Sequence, residues 1–83
     1  MKYEYKTQGV CSMKIDFELD GNTVHNVSFL GGCDGNLKAI GKLVEGKDAS
    51  EVVNILSGNT CGFKNTSCAD QLAKAIADAM TRQ

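Results

Sequence analysis

The chain has 83 residues, nine Lys+Arg against ten Asp+Glu, four cysteines, and neither proline nor tryptophan. The charge is nearly balanced, Arg82 is the sole arginine and no basic cluster occurs, so nucleic acid is not expected as a partner. No apolar run approaches the roughly 18 residues of a membrane span, and Met1-Lys2-Tyr3-Glu4-Tyr5-Lys6 offers no apolar signal region, so a cytoplasmic protein with reduced thiols and no membrane contact is expected.

One domain over residues 1–83 fits this length. A chain of this size buries only about 60–65% of its unfolded surface, so its core is thin and a metal or cross-link would add to it. Tyr3 and Tyr5 alternate with Lys2, Glu4 and Lys6, which predicts a short strand. Met13, Ile15, Phe17 and Leu19 then hold every second position, with Ser12, Lys14, Asp16 and Glu18 between them. This predicts a strand with one apolar and one polar face. Asp20-Gly21-Asn22 reads as a hairpin turn, and a third strand runs from Thr23 to about Leu30.

Directly opposed residues share a face, so Val27 and Phe29 should join the odd-numbered core face of the preceding strand. The predicted pairs are Leu19 with Thr23, Phe17 with His25, Ile15 with Val27 and Met13 with Phe29. Extended to the open end, this register sets Cys11 across from Gly31, beside Cys33.

The remainder reads as helical. Asp34 is suited to cap a helix with Leu37, Ile40, Gly41 and Val44 on one stripe, ended by Gly46. Asp48 and Glu51 suggest a capping box for a helix with Val52, Val53, Ile55 and Leu56, ended by Gly58. Ser67-x-x-Asp70 opens a last helix with Leu72, Ala73, Ile76, Ala77 and Met80 on its stripe. Strands first and helices after predict an α+β fold, a three-stranded antiparallel meander with three helices packed on one face.

Cys11, Cys33, Cys61 and Cys68 are the candidate site. Each sits where the chain turns or a helix begins, whereas a core cysteine usually replaces a small apolar residue within an element. In a reducing compartment such a set reads as metal-binding or redox-active before it reads as disulfides. Cys33 precedes one helix and Cys68 falls in the first turn of another, where free N–H groups and partial positive charge favour thiolate. Gly9, Gly31, Gly32 and Gly62 lie nearby and would let backbone approach a metal or cluster. The spacing C-x21-C-x27-C-x6-C lacks the paired C-x2-C knuckle of a zinc ribbon. The expectation that all four converge at one end of the sheet therefore rests on the predicted register and the helix starts.

Three functions of different class fit these residues. One is a metal-binding module holding zinc or an iron–sulfur cluster on four thiolates. The second is a thiol–disulfide relay with Cys68 as nucleophile and Cys61 as resolving thiol. The third is a structural interaction domain with inert thiols. Four thiolates suit zinc and iron alike. His25 lies six residues from Gly31, about 20 Å along a strand at about 3.3 Å per residue, and reads as a sheet histidine rather than a ligand. Tyr3, Tyr5, Phe17 and Phe29 read as core rather than a stacking platform, since no basic residues interleave with them. Asp34 and Asp70 read as helix caps.

Gly9-Val10-Cys11-Ser12, Gly31-Gly32-Cys33-Asp34-Gly35-Asn36, Cys61-Gly62 and Thr66-Ser67-Cys68-Ala69-Asp70-Gln71-Leu72-Ala73 resemble the TSCPD domain family in its small stand-alone form. The resemblance covers nearly the whole chain. Ala69 stands where the family name implies proline, which would pre-set the first helical turn; alanine is also a good helix residue there. The resemblance implies a link to ribonucleotide reduction and DNA synthesis, because the same domain is appended to adenosylcobalamin-dependent ribonucleotide reductases. It also implies metal binding through Cys11, Cys33, Cys61 and Cys68, and a ribonucleotide reductase as partner. A ribonucleoside-diphosphate reductase label would transfer by family alone. A chain of 83 residues is too short for a radical-generating barrel with cobalamin and nucleotide sites, so no turnover of its own is expected.

Strand–turn–strand, Gly-Cys, helix, then Gly46-Lys47-Asp48 and a second helix also resemble, more weakly, the NifU-like iron–sulfur scaffold proteins. Cys11 and Cys33 fall where two cluster cysteines of that family would. The region from Cys61 to Cys68 does not match its third site closely.

Overall fold

The computed structural model describes residues 1–7, 10, 12–32, 34–60 and 66–82. Three strands, β1 (Lys2–Lys6), β2 (Ser12–Asp20) and β3 (Thr23–Gly31), form an antiparallel meander in the order β1-β2-β3. Three helices follow, α1 (Asp34–Val44), α2 (Ala49–Leu56) and α3 (Cys68–Thr81). This is the α+β arrangement expected from the order of strand and helix patterns. Asp34 is the first residue of α1 rather than the residue before it.

The alternation in β2 works as read over most of its length. Ile15, Phe17 and Leu19 are buried, and Tyr3, Tyr5, Val27 and Phe29 pack against them. Tyr3 lies opposite Phe17 and stacks on it, with ring centroids 5.5 Å apart. The even-numbered face carries charge: the Lys14 ammonium lies 3.6 Å from both Glu4 and Asp16 carboxylates. These pairs are partly exposed and contribute little stability.

The β2–β3 register differs from the predicted one, and the turn is the reason. Asp20 pairs with Thr23 around a two-residue loop, Gly21-Asn22, so Leu19 faces Val24 and Glu18 faces His25. Val24, fully buried, takes the core position expected for Thr23. Val24 and Phe29 would point to opposite faces of a regular strand, because side chains alternate with period two. A β-bulge resolves the conflict. Asn26 adopts φ 56°, and the ladder shifts so that Asp16 pairs with Ser28 and Ile15 with Phe29, in place of the expected Ile15–Val27 and Met13–Phe29 pairs.

A second shift falls between Ser12 and Lys14, whose partners are Gly31 and Leu30. Met13 is the extra residue. It is 68% exposed, and Ser12 is buried in its place, which corrects the assignment of Met13 to the core. Gly31 therefore faces Ser12, not Cys11.

Helix α1 lies against β3. A Cβ on Gly41 would come 3.0 Å from the Val27 carbonyl oxygen, so a larger residue there would require α1 and β3 to separate by a few tenths of an ångström. The α1–α2 connection is stitched to the start of β3: Gly46 N–H donates to Val24 O, Val24 N–H to Lys47 O, and Ala49 N–H to Asn22 O. Asp48 caps α2 as expected, its carboxylate accepting the Glu51 N–H. Val52 is buried, whereas Ile55 is exposed. Helix α3 is the central helix, packing on α2 and over β2 and burying Leu72, Ala73, Ala75, Ile76 and Ala79. Its buried stripe is rotated slightly from the expected one, since Ala77 and Met80 are only partly covered. Alanines on this face let the helix settle close to its neighbours.

The bulge also ties β3 to the end of α1. Asn26 N–H donates to Glu45 Oε1 at 2.8 Å, and His25 Nδ1 meets Glu45 Oε2. The Asn26 N–H first, and then the His25 ring, hold the Glu45 carboxyl below its ordinary range. A carboxyl depressed by folding contributes stability at pH values above its unfolded pKa and loses it as pH falls through the folded value. The stability gap between wild type and Glu45→Gln should therefore shrink as urea unfolding is repeated from about pH 6 down to about pH 2. A gap constant across that range would contradict this origin. Asn26→Val should cost about 1–2 kcal/mol in the same assay, because a β-branched residue resists the left-handed region, while Asn26→Gly should stay within about 1 kcal/mol of wild type.

Candidate cysteine site

The open end of the β2–β3 hairpin is where the candidate site begins. The bulge at Met13 turns Ser12 inward, and Ser12 Oγ donates to Cys68 Sγ at 3.2 Å, a contact across 56 residues of sequence. Cys68 is the first residue of α3 and only 8% exposed. Opposite Ser12, β3 ends at Gly31, and both Gly31 and Gly32 take left-handed φ, 80° and 82°. β3 thus ends on two successive left-handed residues, a conformation that glycine adopts without a Cβ penalty.

The start of α3 is held by two side chains. Ser67 is the N-cap: its Oγ accepts the Asp70 N–H at 3.1 Å and donates to the Asn59 carbonyl. Asp70 does not close the reciprocal half of a capping box. Asp70 is buried, and its carboxylate accepts the Gly58 N–H on Oδ1 at 2.7 Å and the Thr66 hydroxyl on Oδ2, with Lys74 Nζ 3.4 Å away. Gln71 Nε2 donates to Thr66 Oγ1 at 3.1 Å. The Thr66 hydroxyl and the Gly58 N–H together outweigh burial and hold the Asp70 carboxyl below its ordinary range.

Of the predicted site residues, Cys68 is described; Cys11, Cys33 and Cys61 lie outside the described residues, and so does the expected convergence of all four. Their described neighbours are Val10 and Ser12 on either side of Cys11, Gly32 and Asp34 on either side of Cys33, and Thr60 beside Cys61. Among the described residues, no group of three or more His, Cys, Asp or Glu side chains is arranged to hold a metal ion. His25 sits opposite Glu18, toward the turn, as a half-exposed partner of Glu45; it is a sheet histidine at the end of the hairpin away from Ser12. Ser12 and the carboxylate bonds of Asp70 were not legible beforehand. Ser12 stood in a polar slot of a regular alternation, and only the bulge makes it an inward donor.

The structure defines a small α+β domain whose central helix opens on a buried cysteine at the end of a β-hairpin. The TSCPD domain model matches residues 1–80, and the chain belongs to that family. Searches of curated proteins and of solved structures find no match. None of the helices among the described residues is long and apolar enough to cross a membrane.

Ser67 does two jobs, capping α3 and tying it to Asn59. Ser67→Ala should therefore cost about 1–2 kcal/mol in urea unfolding, while Ser67→Thr, which keeps the oxygen, should cost less than half as much. Equal losses in the two variants would rule out the hydroxyl as the cause.

Proposed function

We propose that this TSCPD domain is a non-catalytic accessory module that binds zinc or an iron–sulfur cluster through Cys11, Cys33, Cys61 and Cys68. The observation that carries the proposal is the Ser12–Cys68 contact. Ser12 is bonded to Cys11, pairs with Gly31 two residues before Cys33, and touches Cys68. Asn59, two residues before Cys61, accepts from Ser67. Consecutive Cα atoms are about 3.8 Å apart, so the flanks of all four cysteines are tied to one end of the sheet within a few residues' reach. Four thiolates near one another are a donor set for zinc or iron–sulfur, and binding there would add to a thin core.

The relay reading is weaker because Cys68, its nucleophile, is buried, and an exchanging thiol needs access to its partner disulfide. A ribonucleotide reductase is the partner that the family suggests, and the module's role there would be to stabilise or dock rather than to turn over substrate.

Metal analysis of protein purified without oxygen tests the proposal. Bound metal is expected, and each of Cys11→Ser, Cys33→Ser, Cys61→Ser and Cys68→Ser should release it. Each variant should also lose about 2 kcal/mol or more, equivalent to roughly 8–16 °C in Tm. Full titration of every thiol with no metal bound overturns the metal reading. Loss of thiol exchange in Cys61→Ser and Cys68→Ser alone, with all four variants folded, would establish the relay.

A further inference from the structure

The two edges of the sheet differ. Strand β3 is broken by the Asn26 bulge, and the Asn26 N–H is already taken by Glu45. Such an edge is poorly suited to further pairing. Strand β1 pairs with β2 without a bulge, and among the described residues no strand pairs with its outer side. The helices pack chiefly on β3, β2 and one another, and Tyr3 and Tyr5 stay only half-buried. The backbone parity of β1 is fixed. The Met1 amino group donates to Leu19 O at 2.8 Å and Leu19 N–H to Met1 O at 2.9 Å, and Thr7 N–H donates to Met13 O at 3.3 Å. Bonded and non-bonded pairs alternate in an antiparallel ladder, so Tyr3 and Tyr5 turn their peptide groups to β2, and Lys2, Glu4 and Lys6 turn theirs off the edge.

We propose that β1 is a self-pairing edge: two copies of this chain join β1 to β1 antiparallel, about a two-fold axis at Tyr5, and their sheets become one. An interface of this symmetry must be complementary to itself. Peptide groups leaving one edge must also face peptide groups leaving the other, so the axis passes through a residue, not between two. An axis at Glu4 would oppose Glu4 to Glu4 and Lys2 to Lys6, which like charges disfavour. An axis at Tyr3 would set Glu4 against Lys2; Lys2 already faces Glu18, so that row would hold one cation among the carboxylates of Glu18, Glu4 and Asp16. An axis at Tyr5 sets Glu4 of one copy against Lys6 of the other. Lys6 faces Lys14 within its own sheet, a like-charge pair that Glu4 of the second copy offsets. The row Lys14, Lys6, Glu4, Asp16 is then balanced across the junction. On the opposite face Tyr5 meets Tyr5 in a non-hydrogen-bonded pair, where side chains come closest, and each half-buried ring covers the other. Lysine on an edge ordinarily deters pairing, but in this register Lys6 has a carboxylate opposite it. The contact is short, so association is weak and reversible. No cysteine lies in this edge.

Sedimentation equilibrium of the full chain over a concentration series, under reducing conditions, tests this together with amide hydrogen exchange. A monomer–dimer equilibrium is expected, and high salt should weaken it. As concentration rises, exchange should slow at the Glu4 and Lys6 amides, stay fast at Lys2, and change little at Tyr3 and Tyr5, which already bond to β2. Glu4→Lys and Lys6→Glu should each weaken self-association about tenfold or more, since each opposes like charges at two symmetry-related positions. An equal mixture of the two variants should recover association, because each then offers the charge the other lacks. If Glu4→Lys, which loses its contact with Lys14, does not fold, Lys6→Glu decides alone. A monomer at every concentration overturns the proposal. So does a dimer that Lys6→Glu leaves as tight as wild type, or one that protects the Lys2 amide in place of Lys6.

Discussion

Strand β3 must turn Val24 and Phe29 toward the same core, although an odd number of steps separates them and a regular strand would send them to opposite faces. Asn26, in the left-handed region, absorbs the extra residue. Much of the helical layer depends on that one insertion. It leaves Val24 buried beneath the α1–α2 connection, whose backbone bonds to it on both sides. It frees the Asn26 N–H for Glu45 at the end of α1. It also presents the Val27 carbonyl where α1 makes its close approach at Gly41. Without the bulge, either Val24 or the Val27–Phe29 pair would face solvent, and α1 would lose the surface on which it lies.

The two ends of the hairpin are held by different physics. Near the turn, fully buried side chains from the sheet, α2 and α3 meet, and burial of apolar area supplies the stability at roughly 25 cal/mol per Å2. At the open end the ladder has a second bulge, and Ser12–Gly31 is its last pair among the described residues. There the fixing elements are hydrogen bonds: Ser12 to Cys68, Ser67 to Asn59, and Gly58 and Thr66 to Asp70. A neutral hydrogen bond contributes about 1 kcal/mol net, and one to a charged group about 1.5–3 kcal/mol. This end is specified in geometry but modest in free energy, which is the setting in which a bound metal would contribute most on the proposed reading.

Local sequence determined the elements. Two-residue alternation gave the strands, and the Asp48 and Ser67 caps marked the starts of α2 and α3, because propensity and capping act within a few residues along the chain. Strands preceding helices fixed the α+β class in the same way. The cysteine motifs pointed to the TSCPD family, and the four cysteines as a candidate set. The tertiary structure decided the register and what it implies. The parity of β3 depends on which residues find a core across the sheet, so Thr23 and Met13 gave up their expected core positions to Val24 and Ser12. The meeting of Ser12 with Cys68, and of Asp70 with Gly58, joins residues 56 and 12 positions apart. No local pattern encodes such contacts: a buried polar side chain takes whichever donor or acceptor the packing of distant elements brings within reach.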